Sequence, residues 1–441
     1  MLNVLTTLTF ILFVLQNPLK QIPLPGFGSL DEGLTAILFI GAFSIQLAAR
    51  RISKLSLVPI ILYAYQIVVS LGFGTNRDPL EIALQSFISI KFFLLVSPLY
   101  ELSRRRHYSF ERAMFVLAGI TLIGLFLNLV LGQYLFTLMH ASPTMGAGDP
   151  QLERLAGFQL NANAAGVALA FAAICLLARL QAEGRGRPYE YLGLLLLTGG
   201  VLATASRTAL AFELLGLVFF VRFRRSALPA LLTVAMVALL LLTQQGIMNA
   251  LVEKTTENVG AVAGGPEANY PRWLMAYYGV QLAAMHFPIG TGAATFGSVF
   301  SAGSPIYDQL GLSAFQSIAD LGGIYDSNFG SIAGEYGLLG IVAFYGALWY
   351  CVRKLSRSSR SIGGRWGLTR VEWLFTLVGV LATFMRPLFS SSYYGSLFLI
   401  ALFACVQAVK GGHLLGKRAK GGIDVHLQDA QVISASAQGS S

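Results

Sequence analysis

A chain of 441 residues with 55% hydrophobic and only 12% charged side chains, at a mean hydropathy of +0.65, is too apolar for a soluble globular protein and reads as a multi-pass membrane protein. Its 31 Lys and Arg outnumber its 21 Asp and Glu, but the excess sits in short runs between apolar segments, which marks membrane topology and excludes a nucleic-acid surface. The cysteines, Cys175, Cys351 and Cys405, fall in or at the end of apolar segments without paired spacing, which argues against a metal centre or a disulfide framework.

Residues 1–16 carry no leading positive charge and no small-x-small cleavage signal before Asn17-Pro18, so they read as a short first span. A spanning helix needs roughly 20 apolar residues. About twelve segments meet that requirement: 2–16, 33–49, 55–73, 80–100, 110–138, 160–180, 189–205, 207–222, 226–245, 330–352, 371–388 and 392–410. The expected fold is therefore all-α, with N-terminal transmembrane helices over 1–150, a second transmembrane region over 151–410 and a disordered tail rich in Ser, Ala and Gln over 411–441. Connections after every second segment are basic: Arg50-Arg51 with Lys54, Arg104-Arg105-Arg106, Arg185 with Arg187, Arg222 with Arg224-Arg225, 353–370 and 410–420. The positive-inside rule makes these cytoplasmic, with both termini inside and one large loop, 246–329, outside. No internal repeat of helix-pair length is visible, nor a pair of broken helices of the kind that marks inverted-repeat transporters.

With that orientation few basic residues face outward: Lys20, Arg77, Arg154, Arg207, Lys254, Arg272 and Arg386. Arg207 follows Ser206 at a turn with almost no loop, Arg386 precedes Pro387 at the same level, and Arg154 lies just ahead of the span that opens with Asn161 and Asn163. Arginine presents a rigid fork of donors suited to phosphate and keeps its charge at any relevant pH, so an outward cluster fits a membrane-embedded diphosphate. Singly, such arginines also snorkel to headgroups or pair with a nearby acid such as Glu153.

In the outer loop, Trp273, Tyr277, Val280, Ala284 and Phe287 recur at helical spacing after Pro271, which predicts an amphipathic helix on the outer membrane surface. Arg272 would sit at its positive N-terminus, a natural anion site. Gly290-Thr291-Gly292 after Pro288 supplies a tight turn through which backbone can approach a ligand, although a plain turn has the same pattern. Ser327 and Asn328 follow Asp326 and precede the span that opens with Gly334-Glu335-Tyr336-Gly337. They can orient a hydroxyl or a phosphate, or simply cap a helix. Asp326 and Glu335 are candidate proton acceptors for an attacking hydroxyl, Glu335 otherwise neutralising an arginine, and His286 is the loop's only histidine.

Lys91 and Glu213 lie in apolar segments where lone charges are costly, and a structural Lys91–Glu213 ion pair is the expectation. No Asp-x-Asp occurs in the outer loop and no Gly-x-x-x-x-Gly-Lys-Ser/Thr anywhere. That disfavours a metal-dependent nucleotide-sugar enzyme or an ATP-driven pump, and no metal or other cofactor is expected.

Taken in order, Arg154-Leu155-Ala156-Gly157 with Asn161-Ala162-Asn163, Ser206-Arg207-Thr208-Ala209, Arg272-Trp273, Pro288-Ile289-Gly290-Thr291-Gly292 and Glu335-Tyr336-Gly337-Leu338-Leu339-Gly340 resemble the O-antigen ligase and Wzy polymerase superfamily. The first five spans resemble it in layout only. The resemblance implies a GT-C-like, metal-independent glycosyltransferase of the bacterial inner membrane, acting on undecaprenyl-diphosphate-linked oligosaccharide at the periplasmic face. Arg154, Arg207 and Arg272 would hold the diphosphate and stabilise charge on the leaving group. A flippase and a chain-length regulator are the implied partners beside membrane lipid.

One departure bears on the activity. Ligases of this superfamily carry His-Asn where this chain has Ser327-Asn328. The expectation is therefore a polysaccharide polymerase, with Asp326, His286 and Glu335 left as candidates for the general base. A ligase acting on lipid A or protein is the alternative; a flippase or transporter is a second, disfavoured by the scarcity of charge in mid-span.

Overall fold

The computed structural model describes residues 30–76, 78–104, 108–132, 134–139, 155–183, 187–220, 271–314, 327–357 and 365–410. Twelve helices longer than ten residues organise these segments: α1 (Leu30–Ala48), α2 (Lys54–Phe73), α3 (Pro79–Ser89), α4 (Lys91–Ser103), α5 (Phe110–Leu131), α6 (Ala162–Glu183), α7 (Pro188–Ala203), α8 (Arg207–Phe220), α9 (Pro271–Met285), α10 (Asn328–Arg357), α11 (Arg365–Met385) and α12 (Ser392–Lys410). No strand occurs among the described residues. Among the described residues seven helices are long and apolar enough to cross a membrane, or up to eight if the bent pair α3–α4 forms one span. With the chain's composition this defines an all-helical, multi-pass membrane protein. The expected segments 2–16 and 226–245 lie outside the described residues.

Helix boundaries follow local chemistry. Ser53 caps α2 by accepting from Leu55 N–H, Asp78 caps α3 ahead of Pro79, and Ser109 caps α5 by accepting from Arg112 N–H. Gly132, at φ 56°, ends α5 seven residues before the expected boundary at 138.

Side-chain bonds relate the ends of neighbouring helices. Gln46 at the end of α1 meets Ser56 at the start of α2 and Ser97 and Glu101 of α4. Arg179 of α6 meets Glu111 of α5, and Glu372 of α11 meets Arg353 and Arg357 of α10. One end of the bundle thus gathers Arg50, Arg51, Lys54, Arg104, Arg179, Arg353 and Arg357; we call it the basic end. At the far end begin α1, α4, α6, α8, α10 and α12.

α6 and α12 form the centre, each with 89% of its apolar window buried inside the protein. Their alanines and glycines permit close approach, which drives helix association where no hydrophobic effect separates helix from lipid. Gly166 leaves room for Thr204 and Ser206, and Cys175 touches Cys405 at 3.5 Å between sulfurs. α5, α7 and α8 pack around α6.

Three expectations need correction. The segment 80–100 is not one continuous helix: α3 and α4 bend by 48° at Ile90. Lys91, the first residue of α4, pairs there with Asp31 at 3.0 Å and with Glu32, and not with Glu213, which accepts from Thr198 Oγ1. Starting α4 at the break lets the buried ammonium reach two carboxylates at the start of α1, which removes the cost of a lone intramembrane charge. The span expected over 330–352 runs from Asn328 to Arg357 and is not one continuous helix: the Glu335–Gly340 motif marks a break within it at Gly337 (φ 62°, ψ −158°).

α9 packs on α10 through one of its two apolar faces. Leu274, Met275, Leu282 and Ala283 are buried, and the helix packs on α10 at a crossing so close that a Cβ on Gly279 would lie 2.5 Å from Gly330 O. The expected apolar stripe containing Tyr277, Val280 and Phe287 lies on the opposite, exposed side of the helix. The helix is apolar on two opposite faces, and sequence period alone cannot choose between them.

Candidate functional site

The far end is organised around the short connection from α11 to α12, residues 386–391. Phe389 N–H donates to Asn328 Oδ1 at 2.6 Å, and Asn328 Nδ2 donates to Ser390 Oγ at 3.0 Å. Ser327 Oγ donates to Thr383 O at 3.3 Å. Phe389 O accepts from Phe92 N–H at 3.0 Å. At the start of α12, Ser392 Oγ donates to Asp31 at 3.1 Å and Tyr393 Oη to Ala164 O at 3.0 Å. This one connection therefore ties together the starts of α1, α4, α6, α10 and α12.

Arg386 opens the connection. It is only 7% exposed, and its Nη2 donates to Thr208 Oγ1 at 3.4 Å. Thr208 follows Arg207, the exposed first residue of α8. Ser206 in turn donates to Asn163 Oδ1 at 3.1 Å, near the start of α6, while Asn161 accepts from the N–H groups of Asn163 and Ala164 and so caps α6. Five of the expected site residues, Asn163, Arg207, Ser327, Asn328 and Arg386, are thus brought to one rim. Helix starts carry partial positive charge, and with two guanidinium groups among them the rim offers charge-assisted donors to an anion.

A second cluster lies at the break of α10, nine residues or about 14 Å of helix beyond Asn328. Interrupting α10 at Gly337 frees backbone groups, and the 288–292 segment satisfies them. Thr291 N–H donates to Gly334 O at 3.0 Å, Gly292 N–H to Glu335 O at 2.7 Å, and Leu339 N–H to Pro288 O at 3.1 Å. Gly290 and Gly292 are required for this approach: at φ 73° and 91° they bring backbone so near that a Cβ would lie 2.6 Å from Gly337 N and 2.7 Å from Gly74 Cα respectively. Here the backbone that the two glycines admit is that of α10 and α2.

Glu335 is fully buried at this break. Its Oε1 accepts from Thr295 N–H at 3.0 Å, Phe296 N–H at 3.4 Å and Ser298 Oγ. One carboxylate oxygen thereby folds the 293–301 segment against α10. His286 is exposed just past the end of α9, and its carbonyl accepts from Ile289 and Gly290 N–H. Arg272 lies one turn before Met275, whose carbonyl packs against Gly330 near the start of α10. Arg154 and Asp326 lie outside the described residues. Among the described residues no group of three or more His, Cys, Asp or Glu could hold a metal ion.

Sequence reasoning missed Thr208, Ser390, Ser392, Asp31 and Glu32 at this end. A legible signal existed in the run Ser390-Ser391-Ser392, three hydroxyls between Phe389 and Tyr393 where a span was about to begin. Asp31 and Glu32 gave none, because their partner Lys91 stands some sixty residues away.

Neither a protein-family profile nor a curated protein sequence matches the chain. The class to which fold and composition assign it is that of multi-pass helical membrane proteins, and the particular activity has to be argued from the rim.

Proposed function

We propose that the protein is a polysaccharide polymerase of the bacterial inner membrane, transferring a glycan from undecaprenyl diphosphate onto a lipid-linked repeat unit, with the far end of the bundle periplasmic. The observation that supports this reading is that Arg386 bonds Thr208, the residue after the exposed Arg207, at the end of the bundle opposite the basic end, among the starts of α8, α10 and α12. A diphosphate seated there would draw on both guanidinium groups, and Arg272 and Arg154 are the further cations assigned to it by their place in the sequence. The acceptor sugar hydroxyl attacks the anomeric carbon, the bond from that carbon to the diphosphate oxygen breaks, and the configuration inverts. Charge developing on the leaving diphosphate is stabilised by the arginines. The bond that breaks already stores the energy of transfer, so the site's contribution is positioning and electrostatics.

The hydroxyl proton passes to a general base, for which Asp326, His286 and Glu335 remain the three candidates. Of these, Glu335 has one carboxylate oxygen committed to three donors. Polymerisation is preferred to ligation because Ser327-Asn328 stands where the ligases carry His-Asn. The test is conversion of lipid-linked repeat units into long glycan by membranes carrying wild type, Arg207→Ala or Arg272→Ala at matched protein levels. Long glycan with wild type and its loss in either variant supports the reading. Failure of wild type to lengthen the units, with a complete set of acceptors supplied, removes it.

A further inference from the structure

The apolar outer flank where α5 and α7 cover α6 carries a feature that glycan transfer does not use. α5 and α7 both pack on α6 but touch one another little. Toward the far end they converge, where Gly200 of α7 lies so close to Leu122 of α5 that an added Cβ would fall 2.9 Å from it. Toward the basic end they separate and leave a crevice of about 280 Å³, walled by Phe115, Gly119, Leu122, Leu176, Gly193 and Leu196. Two of its wall residues are glycines with room in front of them: a Cβ on Gly119 meets nothing within 4 Å, and one on Gly193 meets only Leu176 at 3.6 Å.

Polarity changes along the crevice. The narrow end at Leu122 and Leu197 is wholly apolar, whereas Arg179, Tyr189 and Glu190 stand at the wide end. Arg179 is bonded there to Glu111 at 2.8 Å, Glu183 at 3.0 Å and Glu190 at 3.1 Å, and Arg187 donates to Tyr189 Oη at 2.9 Å. An apolar cavity of about 150 Å³ already stays dry and accepts apolar guests, so a larger one on this apolar flank does not fill with water. An amphiphile matches the gradient: a chain in the wedge, a polar group at the charged collar.

We propose that this crevice is a binding site for one acyl chain of a phospholipid from the leaflet at the basic end, its headgroup at the level of Arg179 and Arg187. The chain replaces the contacts that α5 and α7 do not make with each other and holds the wedge at a fixed opening. At its narrow end the wedge continues into the Gly124–Gly157 contact, where a Cβ on Gly157 would lie 2.7 Å from Gly124 C. The segment that leads to Asn161 and Asn163 at the rim rests on that contact, so the lipid supports the rim from behind.

The experiment reconstitutes the full chain into vesicles of phosphatidylethanolamine and phosphatidylglycerol containing a phospholipid with a diazirine on its acyl chain. After illumination, labelled residues are mapped by peptide mass spectrometry. The site predicts severalfold stronger labelling at Phe115 and Leu122 than at Val116 and Ile123, which are 60% and 58% exposed on the open side of α5. Gly119→Leu and Gly193→Leu fill the crevice and abolish the excess, while Gly72→Leu on the exposed face of α2 leaves it intact. Even labelling of crevice and open flank in the wild type overturns the proposal without recourse to any variant, as does an excess that survives in both filled variants.

Discussion

Gly337→Ala tests the most constrained point of the structure. At φ 62° and ψ −158° the residue sits in a backbone region open essentially to glycine alone, where a side chain costs about 1–3 kcal/mol. The new Cβ would also lie 2.5 Å from Pro288 O and 2.6 Å from Gly290 N. These are backbone atoms, so the 288–292 segment has to move away. Moving it breaks the three backbone hydrogen bonds that close the α10 break, each worth about 1 kcal/mol net. Together the terms predict a loss of about 5 kcal/mol. Gly346→Ala in the same helix is the control: nothing lies within 4 Å of its Cβ, and the gain in helix propensity stabilises by up to about 1 kcal/mol. Thermal unfolding of both variants in one detergent checks the pair. Gly337→Ala unfolding at the temperature of Gly346→Ala would refute the argument that this strap and break fit only glycine.

Lys91→Met leaves Asp31 and Glu32 without their cation and is expected to destabilise by about 3–5 kcal/mol, whereas combining it with Asp31→Asn and Glu32→Gln recovers much of that loss; denaturant titration of the single and triple variants reads the difference. Glu335→Ala removes the acceptor of three donors, so amide hydrogen exchange over 293–301 should accelerate strongly while α6 and α12 keep their protection. Asn328→Ala leaves Phe389 N–H without its acceptor and should cost about 1–3 kcal/mol in thermal unfolding. Arg207→Ala, at an exposed position, should change stability by no more than about 0.5 kcal/mol yet lower the rate of glycan lengthening, which separates a ligand-binding role from a folding one.

The helices were legible in the sequence because a spanning helix announces itself by sustained apolar composition, a signal local to each segment. α2, α6 and α12 needed nothing more. Breaks were harder, since they are settled by partners distant in the chain: Ile90 interrupts a run of apolar residues because Lys91 must meet carboxylates of α1, and Gly337 because 288–292 completes its hydrogen bonds. α9 shows a different limit, for its two apolar faces have the same period and only the small Gly279 and Gly330 decide which one packs inward. At the rim, the arginines stood out as charges on an otherwise sparsely charged face. Thr208 and Ser390 did not, because hydroxyls near helix ends are common and their roles come from the side chain that reaches them.

The central claim is that the rim around residues 386–391 holds a diphosphate. Equilibrium binding of a short-chain polyprenyl diphosphate to the purified full chain tests it directly, with the matching polyprenol as the uncharged comparison and with Arg386→Gln and Arg207→Gln beside the wild type. A hydrogen bond to a charged group contributes about 1.5–3 kcal/mol, so each substitution should weaken diphosphate binding by about tenfold or more while polyprenol binding stays constant. Equal affinity for diphosphate and polyprenol, or diphosphate affinity unchanged in both folded variants, would contradict the account.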